Sequence, residues 1–89
     1  MSDFLLLDEN LTTGYQWEVV VANNVHVIRS EHVPDFEALE KELVGAAGVR
    51  VIEHEPIDPG EGWVLSLIYS QPWSPEKPAD FRTYVGVKP

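Results

Sequence analysis

Alternation of apolar and polar side chains with a period of two residues is the strongest constraint in this sequence. It is clearest in segment 63–69, where Trp63, Leu65, Leu67 and Tyr69 fall on one side of an extended chain. Successive side chains of a strand point to opposite faces, so this segment indicates a β-strand that buries one face. The same period recurs along most of the chain and predicts an all-β fold.

Six segments carry this strand pattern. We predict strands at Phe4–Asp8, Gln16–Ala22, Val25–His32, Val49–Glu55, Trp63–Tyr69 and Asp80–Lys88. Asn23 and Asn24 indicate a tight turn between the second and third strands, because Asn tolerates a positive φ, and we expect these two strands to pair as a hairpin. Strands at such close spacing predict a β-sandwich.

One segment departs from the strand pattern. Pro34–Val44 places Phe36, Leu39 and Leu43 at helical spacing, and Asp35 can cap the N-terminus. The segment therefore predicts one short helix of about two turns, inserted into the sandwich and held by its apolar face.

Length and composition indicate one folded domain. A chain of 89 residues fits a single domain, 1–89, and 44% apolar residues are enough for a packed core. There is no cysteine, which excludes disulfides, thiolate metal sites and a cysteine nucleophile.

Charge and hydropathy limit the classes of partner. With 15 acidic and 6 basic residues the formal net charge is −9, so we expect neither nucleic acid nor an anionic membrane as a partner. The apolar run Phe4–Leu7 is far shorter than a signal-peptide core or a membrane span. We expect a cytoplasmic protein or a processed mature form, and the sequence leaves both open.

Candidate catalytic residues form no recognisable arrangement. His26 and His32 are expected on one strand, about 20 Å apart along it, so the two cannot chelate a metal from that strand. A metal site would need one of them together with His54 and a carboxylate, and the spacing does not call for it. Ser66 and Ser70 lie in no nucleophile-elbow context. We therefore expect no enzyme activity, no metal and no cofactor.

Three segments combine residues that fix the backbone with residues that offer contact surface. We call them the first loop (10–15), the second loop (44–48) and the third loop (69–75). Their candidate binding residues are Leu11, Thr12, Thr13, Gly14 and Tyr15, then Val44, Gly45, Ala46, Ala47 and Gly48, then Gln71, Pro72 and Trp73. Each loop taken alone is more often an ordinary turn, but a Trp stiffened by neighbouring prolines is typical of an interface anchor.

In this order, the three loops resemble those of the chagasin-type inhibitors of cysteine peptidases. That family carries an Asn-Pro-Thr-Thr-Gly motif followed by Tyr or Phe and then Trp, a Gly-rich loop, and an Arg-Pro-Trp loop. The corresponding segments here are Asn10–Trp17, Gly45–Gly48 and Gln71–Trp73. The resemblance extends from about Asp3 to Lys88 and implies an immunoglobulin-like β-sandwich.

The resemblance also implies a function. It predicts a reversible inhibitor that occludes the cleft of a papain-like cysteine peptidase with three adjacent loops. Thr12–Gly14 would enter the cleft near the Cys–His pair, and Gly45–Gly48 would run beside the non-primed subsites, with Val44 in a hydrophobic pocket. Trp73 would pack against an aromatic surface of the peptidase. A rigid wedge of this kind loses little entropy on docking.

The chain departs from the family pattern in three places. Leu11 stands where the family has Pro, and Gln71 where it has Arg. We also expect the family's first strand to be missing, which would leave an open sheet edge suited to a homodimer. Two other function classes remain open: a non-inhibitory immunoglobulin-like module that uses this edge or its acidic face, and a small metal-dependent enzyme.

Overall fold

The alternating segments form six β-strands in a computed structural model that describes residues 2–34 and 47–88. The strands are β1 (Asp3–Asn10), β2 (Gln16–Asn23), β3 (Val25–Pro34), β4 (Ala47–Pro56), β5 (Gly62–Ser70) and β6 (Asp80–Val87). A short 3-10 turn, Leu11–Thr13, follows β1. Of the predicted helix at Pro34–Val44, Pro34 is the last residue of β3, and the rest lies outside the described residues.

The strands divide into two antiparallel sheets of three strands each. The first sheet has the order β1-β4-β3, and the second has the order β2-β5-β6. The predicted all-β sandwich of six strands is therefore confirmed. Within residues 2–34 and 47–88, no helix has the length and apolar character needed to cross a membrane.

The predicted hairpin of the second and third strands is wrong. Asn24 does adopt a positive φ of 58°, but β2 pairs with β5 and β3 pairs with β4, in different sheets. The Asn24 carbonyl accepts a hydrogen bond from the Ile57 amide at 3.0 Å, and its side-chain oxygen accepts one from the Asp58 amide at 3.1 Å. These bonds hold the turn against the β4–β5 connection, so the chain crosses from one sheet to the other.

The core lies between the two sheets and draws side chains from both. Its buried members are Leu7, Trp17, Val25, Ile52, Leu65 and Leu67. Ile52 from the first sheet and Leu65 and Leu67 from the second are fully buried. Each such side chain contributes about 1.5–3 kcal/mol through the hydrophobic effect. The period-two pattern of β5 is thus explained by one face that packs against the opposite sheet.

Three connections leave the strands at one end of the sandwich. In the first sheet, Asn10 pairs with Ala47 and Pro34 with Gly48, so the 11–15 and 35–46 connections start and finish there. In the second sheet, Gln16 pairs with Ser70 and Tyr69 with Asp80. Because only residues 11–15 separate β1 from β2, these two sheet ends are the same end of the molecule. Sheet topology therefore brings the bases of the predicted loops together.

Candidate functional site

The first loop is folded by its own hydrogen bonds. The Gly14 amide donates to the Leu11 carbonyl at 3.1 Å, which closes the 3-10 turn. The Thr13 hydroxyl donates to the Asn10 carbonyl at 2.8 Å and accepts from the Tyr15 amide at 3.3 Å. One threonine side chain therefore joins the entry of the loop to its exit, which restricts the loop to one shape.

Gly14 lies directly against the ring of Trp73. Its φ of 81° lies in the left-handed region, which favours glycine. A Cβ atom at this position would overlap the Trp73 ring atom Cη2. Both the backbone conformation and the close approach require glycine, and through this contact the first loop touches the third loop.

The third loop is a turn that presents Trp73 to solvent. The Ser74 amide donates to the Gln71 carbonyl at 2.9 Å, and the Ala79 amide donates to the Tyr69 carbonyl at 2.7 Å. Trp73 at the tip is 69% exposed. A large aromatic side chain held on a turn at this exposure has the character of an interface anchor.

Gln71 connects the third loop to the first. Its side-chain nitrogen Nε2 donates to the Thr13 carbonyl at 3.2 Å. Together with the contact of Gly14 and Trp73, this bond makes the two loops one continuous surface. Gln71 therefore has a structural role, at the position where the chagasin-type pattern has Arg.

Aromatic rings support the base of this surface. Tyr69 packs against Tyr15 and Trp17, with ring centroids 5.4 Å and 4.9 Å away. The Asn10 amide donates to the Tyr69 hydroxyl at 3.3 Å, and Trp17 Nε1 donates to the Asp8 carbonyl at 2.9 Å. These contacts anchor the base of the first loop. Their polar groups link β2 and β5 to the end of β1.

A buried carboxylate, missed by the sequence analysis, lies beside these rings. Glu9 is only 3% exposed. Its Oε2 accepts from the Trp17 amide at 2.7 Å and from Arg50 Nε at 3.1 Å. Its Oε1 lies 2.8 Å from His32 Nδ1 and 2.9 Å from Arg50 NH2. One signal could have revealed it: Glu9 is in phase with the inward-facing Leu7.

The described part of the second loop belongs to a strand. Ala47 is the first residue of β4, and Gly48 pairs with Glu9 of β1 and with Pro34 of β3. A Cβ atom on Gly48 would overlap the Val33 carbonyl oxygen, so glycine permits the close approach of β3. Val44, Gly45 and Ala46 lie outside the described residues.

An exposed ion pair lies at the start of β6, next to the third loop. Asp80 Oδ2 accepts from Arg82 NH2 at 3.0 Å, and Asp80 Oδ1 accepts from the Phe81 amide at 2.7 Å. The Arg82 side chain and the Phe81 amide together hold the pKa of Asp80 below its usual value. The Arg82 guanidinium also lies 6.0 Å from the ring centroid of Trp17, so it extends the aromatic base outward.

All three histidines lie on strands of the first sheet. His26 and His32 both lie on β3, as predicted. His54 packs its ring 5.5 Å from that of Trp63. Among residues 2–34 and 47–88, no three His, Asp or Glu side chains gather as ligands for a metal ion.

Comparison with known proteins identifies the family. The family model described as "Chagasin family peptidase inhibitor I42" matches residues 4–86. No protein with curated annotation matches the sequence.

Two solved structures share the fold. The crystal structure of the cysteine protease inhibitor EhICP2 from Entamoeba histolytica superposes with a TM-score of 0.72 at 23% identity, covering 99% of this chain and 77% of that one. The solution structure of amebosin gives a TM-score of 0.54 at 27% identity, covering 94% of this chain and 74% of that one. Because the matched family consists of peptidase inhibitors, the prediction that this protein is not an enzyme is confirmed. The chain belongs to the chagasin family of peptidase inhibitors.

Proposed function

We propose that the protein is a reversible inhibitor of papain-like cysteine peptidases, which blocks the catalytic cleft with the loops at this end of the sandwich. The observation that carries the proposal is Trp73, which is 69% exposed and rests on Gly14 of the first loop. Gln71 joins the same two loops through the Thr13 carbonyl. A surface already held in one shape loses little conformational entropy when it docks, and this favours tight association.

The roles of the loop residues follow from this arrangement and from the family. Thr12–Gly14 form the wedge that enters the cleft near the catalytic Cys–His pair. Trp73 packs against the peptidase on one side, and residues 44–48 contact the non-primed subsites on the other. The Thr13 hydroxyl is occupied within its own loop, so we assign the contacts of Thr13 to its backbone and methyl group.

Titration of a panel of papain-like peptidases, both endo- and exo-acting, tests the proposal. We expect at least one peptidase to be inhibited reversibly, with activity recovered on dilution and the protein intact afterwards. Replacing Trp73 by Ala should raise that inhibition constant about 30-fold or more, since an interface anchor contributes about 2 kcal/mol or more. Absence of inhibition across the panel at micromolar concentration would refute the proposal.

Phe4→Ala is the matched control for Trp73→Ala. Phe4 is also an exposed aromatic, at 56%, but it lies on β1 far from the loops. We expect its replacement to leave inhibition unchanged. Equal losses from the two variants would mean that general surface hydrophobicity, and not the Trp73 anchor, accounts for the inhibition.

Among residues 2–34 and 47–88, the place of β1 at the edge of the first sheet supports a second, separate proposal. β1 is an edge strand of the first sheet, and near its end the Asp8 carbonyl is bonded by Trp17 Nε1. Alternate residues of an edge strand direct their backbone groups away from the neighbouring strand, which places Phe4 and Leu6 in phase with Asp8. Their side chains are 56% and 62% exposed. We propose that a second copy pairs along this part of β1 to form a homodimer.

Sedimentation equilibrium distinguishes this pairing from inhibition. Leu6→Lys places a charge beside the open edge, a device that prevents edge pairing in natural sheets. We expect it to abolish the dimer and to leave peptidase inhibition intact, whereas Trp73→Ala should do the reverse. If the wild-type protein stays monomeric at about 100 μM, its dimer dissociation constant is too high for a stable dimer, and the dimer proposal is refuted. A wild-type dimer that inhibits no peptidase would favour a non-inhibitory binding module.

A further inference from the structure

We infer that Glu9 is a positioning residue for the inhibitory loops: its buried carboxylate fixes the strand ends from which the first loop and the 35–46 connection depart. The inference rests on the proposed function for its consequence in inhibition. It does not follow from the three loop motifs, because Glu9 is not part of Asn10–Trp17, Gly45–Gly48 or Gln71–Trp73.

The carboxylate joins all three strands of the first sheet to the second sheet. Its own strand is β1, His32 belongs to β3, Arg50 to β4 and Trp17 to β2. The Trp17 amide bond to Oε2, at 2.7 Å, crosses from one sheet to the other. Four donor groups from three residues, two of them on Arg50, therefore converge on one side chain.

The bonded residues bracket the two connections. Glu9 lies two residues before Leu11 and Trp17 lies two residues after Tyr15, so the carboxylate joins both ends of the first loop. On the first sheet, His32 precedes the 35–46 connection and Arg50 follows it. A displacement of the Glu9 carboxylate would therefore shift the ends of both connections together.

Charge and burial restrict the side chains of Glu9, His32 and Arg50 to one arrangement. The Glu9 side chain has no solvent exposure, and those of His32 and Arg50 are only 11% and 14% exposed. Arg50 binds both carboxylate oxygens, and the Nδ1–H tautomer of His32 donates to Oε1. Removal of one partner leaves a charge buried and unpaired, so intermediate arrangements are strongly disfavoured.

Stability alone does not account for such a cluster. Buried ion pairs can often be replaced by apolar side chains of similar size with no loss of stability, and in some proteins their value lies in specifying one geometry. In this protein the geometry specified is that of the loop bases.

An apolar triple variant separates positioning from stability. Glu9→Leu, His32→Leu and Arg50→Met together remove all the charges and keep the volume, but they leave the Trp17 amide without its acceptor. We expect only the moderate fall in melting temperature that one unpaired buried amide causes, and an inhibition constant raised at least tenfold. The rise should come mainly from slower association, because a smaller fraction of molecules holds the loops in the binding-competent shape.

Amide hydrogen exchange measured by NMR provides a readout that needs no peptidase. We expect protection of the Trp17 and Gly14 amides in the wild type and its loss in the triple variant. If the triple variant does not fold, Glu9→Gln takes its place, since a carboxamide cannot accept from all four donors. Glu31→Gln, an exposed acid on β3, is the control and should change neither readout.

The outcomes decide between this inference and the proposed function. Wild-type inhibition constants in a variant whose Trp17 amide has lost protection would overturn the positioning role. If the wild-type protein inhibits no peptidase, but the variant loses the amide protection that the wild type has, the proposed function fails and the structural part of the inference stands. Unchanged protection at both amides would overturn the inference whatever the inhibition shows.

Discussion

Replacing Gly14 by Ala is the sharpest test of the contact between the first and third loops. Gly14 has a φ of 81°, and a Cβ atom there would overlap the ring of Trp73. The substitution therefore combines two effects: backbone strain, and displacement of the exposed aromatic that we propose as the anchor.

The two effects have different magnitudes in stability and in binding. A non-glycine residue in the left-handed region costs about 1–2 kcal/mol. Trp73 is 69% exposed, so its ring can move away from the new methyl group with little loss of core packing. We therefore expect the free energy of unfolding to fall by about 1–2 kcal/mol. Moving an interface anchor should cost about 2 kcal/mol or more in binding, a rise of about 30-fold in the inhibition constant.

Gly60→Ala is a control matched in backbone strain. Gly60 has a φ of 78°, and a Cβ atom built there meets no other atom within 4 Å. It lies in the β4–β5 connection, at the opposite end of the sandwich. This variant should lose about the same stability as Gly14→Ala, about 1–2 kcal/mol, and should inhibit like the wild type.

Urea unfolding followed by circular dichroism gives the stabilities, and progress curves with a fluorogenic substrate give the inhibition constants. The prediction concerns the difference between the variants: similar losses of stability, and a loss of inhibition only for Gly14→Ala. If both variants inhibit equally well, Trp73 is not held in a binding position by Gly14, and the reasoning about the joined loops is refuted.

Three further predictions concern single contacts. Gln71→Ala removes the bond to the Thr13 carbonyl and should weaken inhibition up to about tenfold, the equivalent of about 0.5–1.5 kcal/mol; unchanged inhibition constants would show that this bond does not hold the loops. Leu65→Ala, at a fully buried position, should lower the free energy of unfolding by about 2–5 kcal/mol, and a loss below 1 kcal/mol in urea titrations would contradict the assigned core. Arg82 holds the pKa of Asp80 below its ordinary value of 3.8. The contribution of this contact to stability is therefore fully present above pH 3.8, and it is lost as the pH falls through the lowered pKa of Asp80. The stability difference between wild type and Asp80→Asn should therefore shrink on acidification, and a difference that grows would contradict the sign.

The strands were predictable from the sequence because burial is one-sided. In β5, Trp63, Leu65, Leu67 and Tyr69 share one face, and the inward residues Leu65 and Leu67 are fully buried. The pattern did not reveal which strands pair, because period two places a side chain on a face but does not name the neighbouring strand. The hairpin error at Asn24 has this origin: the positive φ was expected, but the hydrogen bonds that turn the chain into the other sheet come from residues 57 and 58.

The site was predictable in part. The motifs placed Gly14 and Trp73 among the binding residues, and sheet topology brings them into contact. The bond of Gln71 to the Thr13 carbonyl depends on the conformations of two separate loops, which no local pattern specifies. Glu9 was missed because an acidic residue on a strand is usually exposed, and only its phase with the inward-facing Leu7 marks it as buried.

The departures from the family pattern gain a physical explanation from these contacts. A proline at position 11 would fix only the φ of that residue, and its constraint acts within one loop. Here the Thr13 hydroxyl closes the first loop on itself, Gln71 attaches it to the third loop, and Glu9 fixes its two ends to both sheets. The Gln71 bond constrains the position of one loop relative to the other, which a single proline cannot do. Because the proposed binding surface is made of two loops and depends on their relative position, the rigidity that docking would require comes in this chain from contacts between segments.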